Sequence, residues 1–361
     1  MKILNISTPV IDAYHTYFGG ASGHLMYCMF KSLSKYIDLH TLILDTNEPN
    51  LPFTYTKVSH SSNTPHFLRY KDLILQLINE HNPDIITHFY FHETEFNPLI
   101  RFIKPNNFII GMVELPHIRL SDELTFKDRL LRLAKPLALN LTKHTIDHCN
   151  KLITVNHAAK QYYSKYTDNI DVIPYGVDHQ LFNYQPFPHD KNVLITSRLI
   201  RRRRIIEIIR SLIHVKKYHN DITVHIVGTG PLKGYINQIS YLNNLNVIFY
   251  DNVDINKLKT LLANSYVFCH FSTSDGWNQP VLEAMSTGRP AIATDAPFNS
   301  MVKHGKTGFL TKYSLIDYFI YLFDNPTDAK RMGKNARKEV LKNYDWDKIA
   351  KEYVKVFEEV Y

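Results

Sequence analysis

The feature that most limits what this chain can become is an alternation of two hydrophobic patterns, run through twice. Short apolar runs suited to strands fall at Lys2–Ser7, Leu39–Leu44, Asp84–His88, Asn107–Val113, Lys151–Val155 and Asp171–Ile173. A second series falls at Asn192–Ser197, Ile222–Val227, Asn246–Tyr250, Tyr266–His270 and Ala291–Thr294. Between them, apolar residues recur at helical spacing, as over Ser22–Tyr36, Arg69–Asn82, Asp122–His144, Arg204–Tyr218, Ile255–Asn264 and Ala329–Asn343. Strand and helix in strict alternation predict parallel sheets covered by helices on both faces. The alternation restarts after PYGVDHQLFNYQPFPHD, a stretch without a clean period, which places a linker near 180–190. Two doubly wound α/β domains are therefore expected, 1–185 and 186–345. The closing segment puts Trp346, Ile349, Tyr353, Val356, Phe357 and Val360 at helical spacing, so a last helix over 346–361 is expected to pack, with the first domain as one destination. Ligands of such sheets sit at the carboxyl ends of the strands, and two facing sheets would make an interdomain cleft.

Composition narrows the class. At 361 residues, 44% hydrophobic and 21% charged, the chain can bury cores without staples. Cys28, Cys149 and Cys269 are far apart and form no C-x-x-C pair, as expected of reduced thiols in a cytoplasmic protein rather than a zinc site. The opening MKILNIST reads as a first strand rather than a leader, and no apolar run approaches the ~20 residues needed to span a bilayer. Residues 1–185 hold 17 basic and 17 acidic side chains and residues 186–361 hold 25 and 17, so the whole net charge of +8 lies in the second half. Such asymmetry fits an anionic ligand there, and equally a basic solvated surface.

Three stretches carry the candidate chemistry. In SDGWNQPVLEAMSTG, residues 274–288, Asp275 lies among turn-formers, while Pro280 suits the first helical position and places Glu283 in the first turn. The free amides of such a helix start favour an anion; taken alone, the two acids read as well as a turn partner and a dipole partner. In TSRLIRRRRIIEIIRSL, arginines 201–204 read as a solvated charge run, a nucleic-acid patch or a phosphate grip. In ITVHIVGTGPLKGYI, Gly228, Gly230 and Gly234 approximate a dinucleotide fingerprint with Asp251 after the next strand, but their spacing is one residue too long. That is the rival reading, an NAD-dependent oxidoreductase.

Taken together, DGWNQPVLEAMSTGRPAIATD and VKHGKTGFL resemble the donor-site signature of the retaining glycosyltransferase family 4 of group 1, which has the GT-B fold. The matching residues are Asp275, Glu283, Ala284, Met285, Gly288, Pro290, Gly305, Gly308, Phe309 and Leu310. The resemblance implies that Asp275, where Glu is usual, contacts the donor sugar and that Glu283 contacts the ribose. It implies that Arg198 and Arg203 hold the diphosphate, Arg203 standing where Lys is usual and Arg204 where Gly is usual, with the register inside the four arginines left open. Gly228 and Gly230 would line the nucleotide side, and Gly276, Trp277 and Asn278 the sugar side.

The first half supports this. YFGGASGHLMY carries Gly19 and Gly20 between a strand and a helix, where family members approach the donor phosphates by backbone N–H. PDIITHFYF, CNKLITVNHAAKQYY and IDVIPYGVDHQLF resemble the family's ordered motifs, with Asn156 where Ser is common and Tyr175 where Asn is common. His117 is the choice for a neutral histidine near the transferred sugar, with Glu114 nearer the strand end as the alternative. FHETE at 91–95 lacks a metal-ligand frame, Asp345 of DWD reads as a helix cap, and no metal or cofactor is implied. TFKDRLLRLAKPLALNLTKH, residues 125–144, reads as core helices or as a surface for an anionic membrane.

The expected fold is thus GT-B, two Rossmann-like domains around a cleft. The expected function is a retaining, metal-independent transfer of a sugar from a UDP-, GDP- or ADP-sugar to a hydroxyl acceptor, in the cytoplasm or peripherally on the inner face of a membrane. The alternatives are a nucleotide-sugar epimerase or hydrolase of the same fold and, behind it, the oxidoreductase or a basic nucleic-acid-binding protein.

Overall fold

The computed structural model describes residues 1–6, 10–11, 21–43, 45–46, 51–57, 71–89, 107–113, 143 and 145–361. The first sheet holds β1 (Lys2–Asn5), β2 (Asp38–Ile43), β3 (Thr54–Lys57), β4 (Ile85–Phe89), β5 (Phe108–Val113), β6 (Lys151–Thr154) and β7 (Ile170–Val172), in the order β3-β2-β1-β4-β5-β6-β7. The second holds β8 (Asn192–Thr196), β9 (Thr223–Val227), β10 (Asn246–Tyr250), β11 (Val267–His270), β12 (Ala291–Thr294) and β13 (Gly308–Thr311), in the order β10-β9-β8-β11-β12-β13. All of these pairings are parallel. A short pair, Val10–Ile11 with Asp45–Thr46, stands apart.

Each sheet starts in its middle, winds to one edge, then returns to build the other. The strand order reverses beside the first strand, and there the connections after two neighbouring strands leave in opposite directions and open a crevice. In the second sheet that point lies between β8 and β11. The strands there are largely apolar because both faces are covered: every residue of β11 and β12 is buried. Helix α1 (Ala21–Leu33) follows the first strand, α2 (Lys71–His81) precedes β4, and α3 (His157–Tyr163) follows β6. Helices α4 (Ile205–Val215), α5 (Lys233–Leu242) and α6 (Ile255–Asn264) follow β8, β9 and β10. Helix α4 turns Ile205, Ile208, Ile209, Leu212 and Val215 inward, the i, i+3, i+4, i+7 stripe of a sheet-facing helix. After β11 comes α7 (Gln279–Ser286), and after β13 come α8 (Ile316–Asp324) and α9 (Pro326–Asn343).

Two strands go beyond the sequence expectation. β3 is a polar, half-exposed edge strand, TYTK, with no apolar run to announce it. β13 opens on a glycine, and a side chain there would drive a Cβ into the Ala291 carbonyl oxygen of the neighbouring strand.

The last helix, α10 (Trp346–Val360), is capped by Asp345, whose carboxylate accepts from the Asp347 amide at 2.9 Å. It packs on α1 of the first sheet, with Lys35 on Asp347 at 2.7 Å and the Tyr353 ring 5.7 Å from that of Phe89. The chain therefore crosses between the sheets twice, and the crossings lie side by side: the Val177 amide donates to the Tyr344 carbonyl at 2.9 Å. Gly176 lets Trp346 lie against the backbone, since a Cβ there would come within 2.6 Å of the indole. The linker is fastened to the second sheet by Arg289, fully buried, whose guanidinium donates to the carbonyls of Leu262, Ala263 and Pro186 at 2.9, 2.6 and 2.8 Å. Among the described residues no helix is long and apolar enough to cross a membrane.

Candidate functional site

The crevice between β8 and β11 is where the chemistry gathers. After β8 the chain runs through Ser197-Arg198-Leu199 into a single 3-10 turn, Arg201–Arg203, and then into α4. Between turn and helix, Arg204 adopts φ 47°, ψ 30°. That left-handed conformation costs a non-glycine residue about 1–2 kcal/mol, and the position is the one where the sequence pattern calls for glycine. Its side chain offsets part of the cost, packing its guanidinium 3.9 Å from the centre of the Phe271 ring and pairing with Glu207.

This backbone sends the four arginine side chains in different directions. Arg201 is exposed and Arg204 points at Glu207. Arg202 is buried and structural: its Nη1 donates to the Ser274 carbonyl at 2.6 Å, and its own carbonyl accepts from the Thr273 amide at 2.9 Å. Arg203 faces the crevice and pairs with the Asp275 carboxylate, while Arg198 remains exposed at the mouth of the same loop. The next loop closes the floor. Thr229 accepts from the Leu199 amide at 2.8 Å, and a Cβ on Gly230, at φ 155°, would stand 2.5 Å from the Leu199 carbonyl oxygen. Gly230 thus brings the loop after β9 flush against the Ser-Arg-Leu loop.

The loop after β11 supplies the opposite wall. Asp275 is 7% exposed, with Arg203 on Oδ2 and the Arg202 Nη1 3.5 Å from Oδ1. Burial pushes its carboxyl above the ordinary carboxylate value, against the pull of Arg203 and Arg202. Burial likewise lowers the Arg203 guanidinium below its ordinary range, against the pull of Asp275. The amides of Gly276, Trp277 and Asn278 donate to no backbone carbonyl among the described residues, which leaves a row of donors at the start of α7.

The side chains of this loop are spent on holding it. Trp277 lies between Tyr175 and Tyr344, ring centres 5.8 and 6.1 Å away. Asn156 donates to the Gly276 carbonyl at 3.3 Å and Gln279 to the Gly176 carbonyl at 3.1 Å. The loop after β11 is thereby tied to the first sheet and to the crossing.

Glu283 corrects a detail of the sequence expectation. Helix α7 begins at Gln279, so Pro280 is its second residue and Glu283 lies in the second turn, buried at 4% exposure. A carboxylate there does not sit at the helix start to balance the dipole, and it is held inside the protein. Gly19, Gly20 and His117, with the alternative Glu114, lie outside the described residues, as does FHETE. Among the described residues no group of three or more His, Cys, Asp or Glu is placed to hold a metal ion.

One residue of the site had no signal in the motifs. His270, the last residue of β11, is 3% exposed and lies 3.6 Å from Asp275 Oδ2 and 3.0 Å from Arg203 Nη1. It reads in sequence as the polar end of an apolar strand. Burial first, and then Arg203 and Arg202, hold it well below the ordinary histidine range, so the imidazole is neutral.

Comparison with known proteins agrees with this geometry. Residues 178–339 match the family model described as glycosyl transferases group 1, and residues 45–181 match that of glycosyltransferase family 4. An uncharacterized glycosyltransferase of Methanocaldococcus jannaschii is 27% identical over 175 residues, 46% of this chain and 45% of that protein. The chain spans about half the length of the curated relatives it matches. Among solved structures, sucrose-phosphate synthase of Thermosynechococcus elongatus superposes with a TM-score of 0.74 at 16% identity, over 99% of this chain and 98% of that one. Anabaena HepE in complex with UDP-glucose gives 0.71 at 17% identity, over 99% and 100%. The two doubly wound sheets are those of the GT-B fold.

Proposed function

The chain belongs to the group 1 glycosyltransferases of family 4, and from that premise we propose that it moves a sugar from a nucleotide-diphosphate sugar to a hydroxyl acceptor with retention of configuration. The observation that carries the reading is the meeting of Arg203, Asp275 and the amide row of Gly276–Asn278 at one strand-end crevice. On this reading residues 186–345 hold the donor and residues 1–185 the acceptor, with α10 returning to the latter.

Arg203 and the exposed Arg198 grip the diphosphate, Gly228 and Gly230 admit it close to the backbone, and Gly19 and Gly20 approach it from the first domain. Asp275 and the amides of Gly276, Trp277 and Asn278 hold the sugar, with His117 beside it, and Glu283 holds the ribose. As the acceptor oxygen bonds to the anomeric carbon, the bond to the diphosphate breaks and its electron pair leaves with the phosphate oxygen. The acceptor proton passes to that departing oxygen on the same face. Guanidinium groups and the amides of the helix start stabilise the developing charge, so the reading assigns no step to a metal or cofactor. UDP heads the donor candidates because HepE, of the same fold, is a UDP-glucose complex. The reading places the protein in the cytoplasm; residues 125–142 and 144, read in sequence as core helices or as a surface for an anionic membrane, lie outside the described residues.

A thermal-shift screen against UDP-, GDP- and ADP-sugars tests the reading, since a bound donor raises the melting temperature by mass action. One donor is expected to stabilise, and its nucleoside diphosphate is expected to be released in the presence of acceptor, in a manner lost in Arg198→Ala and Glu283→Ala. Binding to nucleic acid with no response to any nucleotide sugar would overturn it.

A further inference from the structure

Asn156 stands where the first sheet meets the loop after β11, and its two polar atoms do different work. It is buried, between β6 and α3. Its Oδ1 accepts from the Ala159 amide at 2.8 Å as the cap of α3. A backbone amide can only donate, so this bond fixes which end of the side chain faces which way. Nδ2 is therefore the atom that reaches the Gly276 carbonyl, at 3.3 Å and across 120 residues of sequence.

Holding that carbonyl orients the peptide that follows it. The peptide is trans, so the Gly276 carbonyl and the Trp277 N–H lie on opposite sides of one rigid plane. With the carbonyl drawn toward α3, the N–H points away from the first sheet, to the side of the second. No group among the described residues accepts from it. The bond from Asn156 is the one hydrogen bond this plane makes among the described residues. Gly276 has no side chain to bar rotation of the plane. Its flanks are held, Asp275 by Arg203 and the Trp277 ring between Tyr175 and Tyr344. The direction of the N–H between them falls to Asn156.

We infer that Asn156 is a positioning residue for the donor sugar: from the first domain, through the Gly276 carbonyl, it sets the Trp277 N–H as a hydrogen-bond donor to that sugar. The inference rests on the transferase reading. Arg198 and Arg203 grip the diphosphate without this bond, so its loss loosens the sugar and leaves the diphosphate in place.

The test compares wild type, Asn156→Ser and Asn156→Asp. Both variants keep an oxygen to cap α3, and neither carries an N–H to the Gly276 carbonyl. Calorimetric titration uses UDP and UDP-glucose, with the GDP and ADP pairs run in parallel. Both variants are expected to bind the nucleoside diphosphate within about 2-fold of wild type. Affinity for the sugar nucleotide is expected to fall by about 5- to 10-fold, the worth of one neutral hydrogen bond.

A second readout watches the peptide itself. The chain has two tryptophans, so 15N-tryptophan gives two backbone amide signals, and Trp346→Phe tells them apart. The Trp277 amide is expected to move downfield when the sugar nucleotide binds and to stay when the diphosphate alone binds, with a smaller movement in both variants. The Trp277 indole N–H, buried and without a partner among the described residues, serves as the control. Its signal is expected to stay in place in both donor-free variants, as it must while the ring remains between Tyr175 and Tyr344. Equal weakening of diphosphate and sugar nucleotide with a displaced indole signal would reduce Asn156 to a packing residue and overturn the inference. Wild-type affinities in both variants, or a Trp277 amide that does not respond to a bound sugar nucleotide, overturn it alone. A wild-type protein that binds none of the three sugar nucleotides overturns it together with the transferase reading.

Discussion

Replacing Asp275 by the isosteric Asn separates what this carboxylate does for the fold from what it does for the donor. In the donor-free protein it is the countercharge of Arg203, whose side chain keeps 18% of its exposure, and it lies beside Arg202, whose side chain keeps 5%. Removing one partner of a buried ion pair costs about 3–5 kcal/mol. The amide still accepts one hydrogen bond and Arg203 still touches solvent, so the cost falls at or just below the low end of that range, about 2–3 kcal/mol. For a domain of this size each kcal/mol moves the melting temperature by about 2–4 °C, so a fall of about 5–10 °C is expected. The diphosphate feels the opposite effect. In wild type it must draw Arg203 away from Asp275; in Asp275→Asn that competitor is gone, and tighter binding of UDP by about tenfold, about 1.4 kcal/mol, is expected. The ligand-induced rise in melting temperature should therefore be larger in the variant than in wild type, while turnover collapses for want of the sugar contact. Differential scanning fluorimetry with and without UDP, checked by calorimetric titration, reads both effects. Adding Arg203→Gln should recover part of the lost stability, giving a coupling of at least about 1 kcal/mol in the double-mutant cycle. A variant that melts with wild type, or binds UDP more weakly, would refute the competition between carboxylate and diphosphate for Arg203.

Further outcomes follow from the same geometry. Glu283→Gln should raise the KM for the sugar nucleotide by about 10- to 100-fold, the loss of charge-assisted bonds to the ribose, with the acceptor KM unmoved; steady-state kinetics in both substrates checks it. Burial holds His40 and His88 near 4 and His270 well below the ordinary 6.5, so as pH falls through 6.5 the unfolded chain takes up these protons first. The stability they contribute is full above about 6.5 and drains below it by about 1.4 kcal/mol per pH unit per histidine until the folded value is reached; the melting temperature should be level from pH 8 to 7 and fall from 6 to 4.5, less steeply in His270→Gln. Trp346→Ala should cost about 3–5 kcal/mol, because the indole fills the space over Gly176 at the double crossing; the melting temperature should drop while the Kd for UDP at low temperature stays put.

Much of the architecture was legible because buried parallel strands write themselves as mainly apolar runs: VFCH and AIAT are buried at every residue. The half-exposed TYTK strand writes no such run, because an edge strand need satisfy only one neighbour. The acids at 275 and 283 were legible as a spaced pair, but the depth of Glu283 was not. A proline is welcome at either of the first two helical positions, so its presence leaves the helix start uncertain by one residue. The arginine run shows a different limit. Four identical side chains carry no internal pattern, and what tells them apart is the backbone. Arg204 occupies the left-handed turn that a glycine would fill without cost, and with that one residue fixed, Arg202 turns inward to Ser274 and Arg203 outward to Asp275. His270 was illegible for a further reason. Its hydrogen-bond path runs through Asn278, then through Asn299, which is 21 residues beyond Asn278 in sequence, and ends at the Thr294 carbonyl. No local spacing encodes such a path, since it exists only once β11 and β12 lie side by side. On the transferase reading the two acids mark where the donor goes, and the hydrogen-bond path behind Asp275 is visible only in three dimensions.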